Sequence, residues 1–345
     1  MPRIAAHTRQ ELQQVLSHFG LTSLELHDIR SGRVNKHWRV ESGADRYVLR
    51  RYNLHRSPAA IQYEHDVLRH IERKGWPVAV PLPAEGGSTF VMERGSPDSQ
   101  ASAYALFPFL PGRPGSPHSH RYLRIKGGLL ARLHGDLALL PSRSQRDGFG
   151  RSSDLDAYVP DSHGGTFDTV VDAFAQEQPR LAAQIHSHRQ ANLDELARLD
   201  YDSLPDILVH GDFHGDHTRF QRRRLTALLD FDLVHLDARI ADVALAIAGD
   251  CLKPPAYMSI DPEAVQALVG AYHAESPLSE PEVGLIVPLI RAYYLWLCWF
   301  NLMRWLDGDV ERAVGSLVRS LDQRLPNLAS RAPAIELALR SAAVA

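Results

Sequence analysis

Apolar residues in the first hundred positions change from a helical period to a strand period. The segment 9–21, RQELQQVLSHFGL, has the apolar spacing of a helix that ends near Gly20. The segments LELHDI, NKHWRVES and DRYVLRRY then alternate or are rich in β-formers, and the turn sequences RSGRVN and SG separate them, so three antiparallel strands are predicted. A second helix is predicted over 57–75, because Ser57 suits the N-cap, Pro58 the first position and Gly75 the end. STFVME and AYALFPFLPG complete a small sheet.

The remainder of the chain has mostly helical patterns. The Pro/Gly-rich piece LPGRPGSPH predicts a linker, and the helical segments after it begin with YLRIKGGLLARLHGDLALL. The exception is a strand–loop–strand over 206–232, which predicts a hairpin with Arg222–Arg224 at its solvated tip. The pattern therefore predicts an α+β protein with a small antiparallel-sheet part over 1–110, a linker over 111–118 and a larger, mainly helical part over 119–345.

Composition is that of an ordinary globular protein, with 44% hydrophobic and 23% charged residues among 345. The formal net charge of −3 gives no indication of nucleic-acid or membrane binding, so neither partner is expected. The two cysteines, Cys251 and Cys298, are too few for a disulfide framework or a four-cysteine zinc site. Since the N-terminus lacks the apolar core of a signal peptide, a cytoplasmic location is predicted. The sequence carries no signal for oligomeric state.

One late stretch, VGLIVPLIRAYYLWLCWFNLMRWL, is apolar enough to resemble a membrane span. A proline, two arginines and an asparagine interrupt it, and it is rich in aromatic residues. These features favour a buried aromatic helix. Trp296, Trp299 and Phe300 share one face of that helix, and we expect these large apolar side chains to pack in a core. A role in lining a ligand pocket is the alternative for at least one of them.

The densest group of chemically capable residues is HGDFHGDH at 210–217, directly after an apolar strand, followed by Asp230 in LLDFD. Charge within apolar runs costs free energy unless it is paired or bound to a metal. Two carboxylates arriving from neighbouring strand ends can converge on one cation or one phosphoryl group. Phosphoryl transfer needs positioning, cations on the phosphate oxygens and a carboxylate near the attacking hydroxyl, so Asp212 is the candidate base and Asp230 a candidate metal ligand.

HGDFHGDH, LLDFD and DARIADVALA together resemble the Brenner-type motif of the aminoglycoside phosphotransferase, choline kinase and type II homoserine kinase superfamily. The resemblance extends over nearly the whole chain in the family's order, including LLARLH in the first helix of the larger part. It implies a two-lobed, protein-kinase-like fold. It also implies a hydroxyl acceptor, ATP (or GTP) as donor, and Mg²⁺ (or Mn²⁺).

Residue by residue, the resemblance assigns the nucleotide site to the N-terminal part. RSGRVN, with Gly32, matches the turn that covers the nucleotide, although a single glycine is a weak signal. Arg50 in YVLRRY matches the basic residue that grips the phosphates, and Glu64 matches its helix partner. Strand alternation sends Arg50 and Arg51 to opposite faces. The connection after the sheet, whose backbone meets the adenine, corresponds to Phe107, Phe109 and Leu110.

In the larger part, Asp212 matches the catalytic base and Asp230 the magnesium ligand. His210 and Gly211 match residues that shape the catalytic loop. Asp242 matches a supporting aspartate, and Asp232 is a candidate second contact to the metal.

Two positions depart from the family pattern. The usual asparagine is His217 here, and imidazole prefers softer metals than Mg²⁺. His217 is nevertheless the candidate metal ligand, and Asp216 is an alternative source of oxygen. Arg50 stands where lysine is more frequent, which loses little because arginine binds phosphate through two nitrogens.

The motifs leave three functions open. The leading prediction is a kinase acting on an aminoglycoside or other antibiotic, on homoserine, or on another small alcohol. The second is a kinase-like module that binds nucleotide without transfer. The third is a zinc hydrolase using His210, His214 and His217, which is disfavoured because the segment contains two glycines and follows a strand, so no helix aligns the three rings.

Overall fold

The computed structural model describes residues 6–22, 25–29, 35–53, 56–94, 101–116, 119–141, 144–159, 165–254 and 257–343. The chain forms two compact units. The smaller comprises residues 1–113 with 219–229, and the larger comprises 114–218 with 230–345.

The smaller unit is built on a five-stranded antiparallel sheet in the order β1-β2-β3-β5-β4. Its strands are β1 (Glu25–Ile29), β2 (Lys36–Ser42), β3 (Asp45–Arg51), β4 (Val91–Glu93) and β5 (Ser102–Pro108). Helix α1 (Ala6–Ser17) buries Leu12, Val15 and Leu16 against Trp38 and other apolar residues of this sheet. The predicted strands are therefore confirmed, and α1 covers the face of the sheet on which Trp38, Val40 and Leu49 lie.

Helix α2 (Pro58–Arg73) begins as its sequence predicts. The side chain of Ser57 accepts a hydrogen bond of 3.1 Å from the amide of Ala60, and Pro58 occupies the first turn. Gly75 follows the helix with φ +87°, a conformation that glycine adopts without strain. These local signals place Glu64 on the buried face of α2.

The larger unit is mainly helical, so the α+β prediction is confirmed. Its helices are α3 (His120–Ala138), α4 (Phe167–Ala175), α5 (Pro179–Arg198), α6 (Arg239–Asp250), α7 (Pro262–Glu275), α8 (Glu280–Leu306), α9 (Val310–Arg319) and α10 (Leu325–Ala342). Helix α3 packs on α7 and α6 packs on α8. Helix α6 is buried along nearly its whole length, and two aspartates lie on it.

The predicted hairpin over 206–232 is wrong in its pairing. Strand β7 (Asp206–Val209) pairs with β10 (His235–Ala238), whereas β8 (Thr218–Gln221) and β9 (Arg224–Leu228) form a separate hairpin beside the short strand β6 (Arg113–Pro114). The sequence of β10, HLDA, has no β-branched residue and gave no strand signal. The tip of the hairpin is exposed as predicted, with Arg222 and Arg223 at positive φ.

Helix α8 contains the late apolar stretch. Within the described ranges it is the one helix long and apolar enough to cross a membrane, and 56% of its most apolar window is buried inside the protein. It packs against α5, α6, α9 and α10. This is the environment of a core helix, as its interrupted sequence predicts.

Candidate active site

The loop 210–217 starts from a fixed position at the end of β7. The backbone amides of His210 and Gly211 donate to the two carboxylate oxygens of Asp242, at 2.6 and 2.9 Å. Gly211 has φ +77°, and a Cβ at this position would lie 2.2 Å from the carbonyl oxygen of Leu233. Only glycine fits here, because any side chain would collide with the backbone leading to β10.

Asp242 is itself held by a second buried contact. Its Oδ2 lies 3.1 Å from Nε2 of His134 on α3, and Nδ1 of that imidazole lies 2.8 Å from the hydroxyl of Tyr272. Burial by itself raises the pKa of Asp242, but hydrogen bonds from His134 and the amide of His210 outweigh burial and hold that pKa below its usual range. An ionised Asp242 is thus placed to support the loop.

Asp212 lies between two imidazoles. Its Oδ1 is 3.3 Å from Nε2 of His214, and its Oδ2 is 3.3 Å from Nδ1 of His217. The side chain is 23% exposed. Burial raises the pKa of Asp212 to about 7; His217 opposes this shift and the carboxylate of Asp230 adds to it. A carboxylate that titrates near neutral pH is well matched to accepting a proton from a hydroxyl.

His217 connects Asp212 to Asp230. Its Nδ1 donates to the main-chain oxygen of Asp212 at 2.8 Å, so the lone pair of the neutral ring is on Nε2. That Nε2 lies 3.6 Å from Oδ2 of Asp230. Asp230 follows β9 with φ +63°, an unusual conformation for a residue other than glycine, and such strain is common at functional sites. The structure therefore brings Asp212, His217 and Asp230 together, as predicted from the sequence.

His214 belongs to this group although the kinase interpretation omitted it. Its ring lies 4.1 Å from that of His217, because residues Gly215–His217 form one 3₁₀ turn. Its Nδ1 accepts from the amide of Asp216 at 3.3 Å, so Nε2 carries the proton that points at Asp212. Burial lowers the pKa of His214 to about 3, which keeps the ring neutral. The spacing HxxH was the available signal, but it suggested only zinc.

The donor atoms of Asp212, His214 and His217 lie within 4.8 Å of one another, a spacing that could hold a metal ion. For His214 to bind it, Nε2 would have to lose the proton that it carries in the arrangement described above. Carboxylate oxygens suit Mg²⁺ and Mn²⁺, whereas imidazole suits softer ions, and Mn²⁺ accepts an imidazole ligand more readily than Mg²⁺ does. The mixed set thus fits a divalent cation, with Nε2 of His217 facing Asp230. Among the described residues, neither His210 nor the exposed Asp216 belongs to this set.

The two other residues predicted for this region, His210 and Asp232, are buried and contact neighbouring residues of the protein. His210 is buried and its ring packs 4.3 Å from that of Phe231. Asp232 is buried, and its carbonyl oxygen accepts a hydrogen bond of 2.6 Å from Arg146.

In the smaller unit, Arg50 and Glu64 form a buried ion pair. Nη1 of Arg50 lies 2.8 Å from Oε1 of Glu64, and Nε donates to His37 at 3.2 Å. The guanidinium also lies 5.0 Å from the centre of the Phe107 ring. Arg51 projects from the opposite face, where it contacts Tyr104.

The predicted adenine connection lies at the end of β5. Phe107 is buried and paired within the sheet, and the amide of Phe109 donates to the carbonyl of Arg46 at 3.0 Å. Leu110 is half-buried just beyond. Gly32 lies outside the described residues.

A cavity of about 50 Å³ lies in the larger unit next to the catalytic loop. Gly211 and Asp242 line one side. The aromatic residues that line it are Phe149, Tyr158, Tyr293 and Trp296. Trp296, one of the three aromatic residues on the α8 face that were predicted to pack in a core, thus lines a cavity instead. His235 also lines the cavity; its Nδ1 donates to the carbonyl of Leu233 at 2.7 Å, and its buried Nε2 lies 3.7 Å from Asp237.

Comparison with known proteins identifies the family and the fold. The family model described as "Phosphotransferase enzyme family" matches residues 25–282. A homoserine kinase of Phenylobacterium zucineum is 27% identical over 316 residues, which cover 91% of this chain and 90% of that protein. An amicoumacin kinase solved with AMP-PNP, Ca²⁺ and Ami aligns with a TM-score of 0.66 at 16% identity, covering 91% of this chain and 94% of the other. A microcompartment-associated aminopropanol kinase aligns with a TM-score of 0.62 at 17% identity, covering 98% and 99%.

The two structural alignments confirm the predicted kinase-like fold, and the family match extends over most of the chain. The resemblance stated from HGDFHGDH and LLDFD is therefore confirmed. The chain belongs to the phosphotransferase enzyme family and is a small-molecule kinase.

Proposed function

We propose that this protein transfers the γ-phosphate of ATP to a hydroxyl group of a small amino alcohol, with homoserine as the first candidate. The observation that carries the proposal is the position of Asp212. Its carboxylate titrates near pH 7 and lies 3.3 Å from Nε2 of His214 and 3.3 Å from Nδ1 of His217, whose Nε2 faces Asp230.

Asp212 has the properties of the group that orients and deprotonates the acceptor. An ionised carboxylate close to the attacking hydroxyl accepts its proton as the bond to phosphorus forms. His214 and His217 each lie 3.3 Å from one carboxylate oxygen of Asp212, and together they would hold the carboxylate in place for the substrate hydroxyl. Asp242 and His210 hold the loop that carries Asp212.

Other residues of the candidate site would bind the metal ion and the nucleotide. His217 and Asp230 would hold a divalent cation, which when bound neutralises charge on the phosphate oxygens. Arg50, oriented by Glu64, would bind phosphate. The amicoumacin kinase complex contains an adenine nucleotide analogue and Ca²⁺, which supports ATP and a divalent metal as cofactors here. A cytoplasmic location, where ATP is available, is part of the same proposal.

The acceptor is inferred from the cavity and from relatives. Aminoglycosides are polycations and need an acidic surface. Among the described residues lining the cavity, Asp242 is the one carboxylate, and His134 and two amides already engage it. A small aromatic cavity instead suits a compact ligand, and aromatic faces attract an ammonium group. Relatives named homoserine kinase and a structural neighbour named aminopropanol kinase support this choice.

The test is an acceptor screen with purified protein, ATP and either Mg²⁺ or Mn²⁺, in which ADP release is measured. Homoserine, aminopropanol, choline, aminoglycosides, macrolides and simple sugars are compared. We expect turnover with an amino alcohol, loss of turnover in Asp212→Asn, and retained turnover in Asp216→Asn, which removes an exposed carboxylate from the same loop. Turnover of an aminoglycoside alone would move the assignment to antibiotic phosphorylation. Full turnover by Asp212→Asn would refute the role of Asp212. ATP binding without transfer to any acceptor would favour the nucleotide-binding module.

A further inference from the structure

The catalytic loop is held at its far end by a buried ion pair outside the family motif. Lys126 on α3 contacts Asp250 at the end of α6, and Oδ1 of Asp250 accepts the amide of Gly215 at 2.8 Å. Each side chain of the pair is no more than 3% exposed.

This contact repeats the one at the start of the loop. There, His134 on α3 contacts Asp242 on α6, which accepts the amides of His210 and Gly211. Lys126 lies eight residues before His134 on α3, and Asp250 lies eight residues after Asp242 on α6. Eight residues span about two helical turns, so the two pairs lie on the same faces of α3 and α6. The His134–Asp242 pair holds the start of the loop, and the Lys126–Asp250 pair holds its far end.

The end of α6 also lies directly against the residues that surround Asp212. A Cβ at Gly249 would lie 2.9 Å from Cβ of His214, and a Cβ at Gly215 would lie 2.9 Å from Oδ1 of Asp250. Both distances are shorter than Cβ atoms tolerate, so a side chain at Gly249 would displace His214, and a side chain at Gly215 would displace the carboxylate of Asp250. The position of His214 therefore depends on where α6 ends.

A buried ion pair is a weak source of stability, because taking both charges out of water opposes their attraction. Apolar residues of similar volume would fill the space between α3 and α6 at no greater cost. The pair does what apolar residues cannot, since a carboxylate fixed by a cation presents one oxygen to the amide of Gly215 in a defined direction. Gly215 begins the 3₁₀ turn that ends at His217.

We propose that Lys126 and Asp250 are positioning residues that set the geometry of His214 and His217 through the amide of Gly215. The positioning role is argued from the contacts alone, whereas the purpose of this geometry, metal binding and phosphate transfer, rests on the proposed function. Lys126 orients Asp250, Asp250 anchors the 3₁₀ turn, and the turn directs His214 towards Asp212 and Nε2 of His217 towards Asp230.

The test compares Lys126→Met with a matched control, Arg189→Met. Arg189 on α5 forms an ion pair with Asp168 on α4, so its loss removes a cation from the same unit at a pair that contacts neither the loop nor the residues that hold it. Two properties are measured on the full chain: hydrogen exchange of the backbone over residues 210–217, and Mn²⁺ affinity with AMP-PNP present, from the electron paramagnetic resonance signal of free Mn²⁺. Partners that orient metal ligands typically change affinity by tenfold or more. We expect Lys126→Met to weaken Mn²⁺ binding about tenfold and to speed exchange over the loop, and Arg189→Met to do neither.

A second variant keeps the test decisive if Lys126→Met does not fold, since it leaves Asp250 buried without its cation. Lys126→Met/Asp250→Asn removes both charges and retains an oxygen facing Gly215. This variant should fold, exchange faster over 210–217 and bind Mn²⁺ more weakly than the unmodified chain. Folded variants with unchanged loop exchange and unchanged Mn²⁺ affinity would overturn the proposal. The exchange measurement needs no phosphate transfer, so absence of transfer by the unmodified chain would count against the proposed function alone.

Discussion

The carboxylate of Asp212 should make the protein less stable as it ionises. Its pKa is raised from 3.8 to about 7, mainly by burial, so the folded chain keeps the proton at pH values where the unfolded chain has lost it. The folded state then binds more protons than the unfolded state, and stability falls as pH rises through this window. Asp212→Asn removes the titration and should therefore stabilise the chain at high pH.

The magnitude follows from the two pKa values. Between pH 4 and 7 the contribution of the Asp212 carboxyl group to the free energy of unfolding falls by about 1.4 kcal/mol per pH unit. Above pH 7 this contribution levels off. From pH 5 to pH 8 the loss is about 2–3 kcal/mol. All other groups titrate in both proteins. The free energy of unfolding of Asp212→Asn, relative to that of the unmodified chain, should therefore rise by that amount from pH 5 to pH 8.

The assay is urea denaturation at pH 5 and pH 8 without nucleotide or added metal, since ligands bound by the folded state would shift the result. Asp216→Asn is the control, and this exposed substitution should change stability little at either pH. If the advantage of Asp212→Asn is the same at both pH values, or is smaller at pH 8, burial does not raise the pKa of Asp212 and the reasoning about its role as base loses its physical support. In transfer assays the same pKa predicts that kcat/KM rises through about pH 7, because the base must be ionised.

Three further outcomes are expected from other parts of the site. His217→Asn replaces an imidazole by an amide oxygen and should raise the rate with Mg²⁺ relative to the rate with Mn²⁺; an unchanged ratio would show that the ring does not bind the metal. Glu64→Gln weakens the hold on Arg50 and should raise the Kd for ATP about tenfold in a fluorescence titration, whereas normal ATP affinity would argue against phosphate binding by Arg50. Trp296→Ala should raise KM for the acceptor about tenfold with ATP affinity unchanged, because an aromatic wall is lost; an unchanged KM would place the acceptor outside the cavity.

Much of the architecture is local in origin and was therefore accessible from the sequence. The strands around Arg50 were predicted from the residue pattern and turn signals within each segment, and α2 begins at Ser57 because capping is decided within four residues. The candidate site could be predicted for the same reason, since Asp212 and His217 lie in one short loop. Asp230 was placed with them by the order of the motifs.

Other features required the tertiary structure, because they join residues far apart in the chain. Strand β7 pairs with β10 rather than with the next strand, and only packing determines which edge is available. The loop histidines meet because Asp242 and Asp250 hold both ends of the loop, and Asp250 is held by Lys126, 124 positions earlier. A lysine in an amphipathic helix is usually solvated, so no local pattern marks Lys126 as buried. Local sequence thus determined which side chains could do chemistry, whereas the packing of α3 against α6 decided where they point.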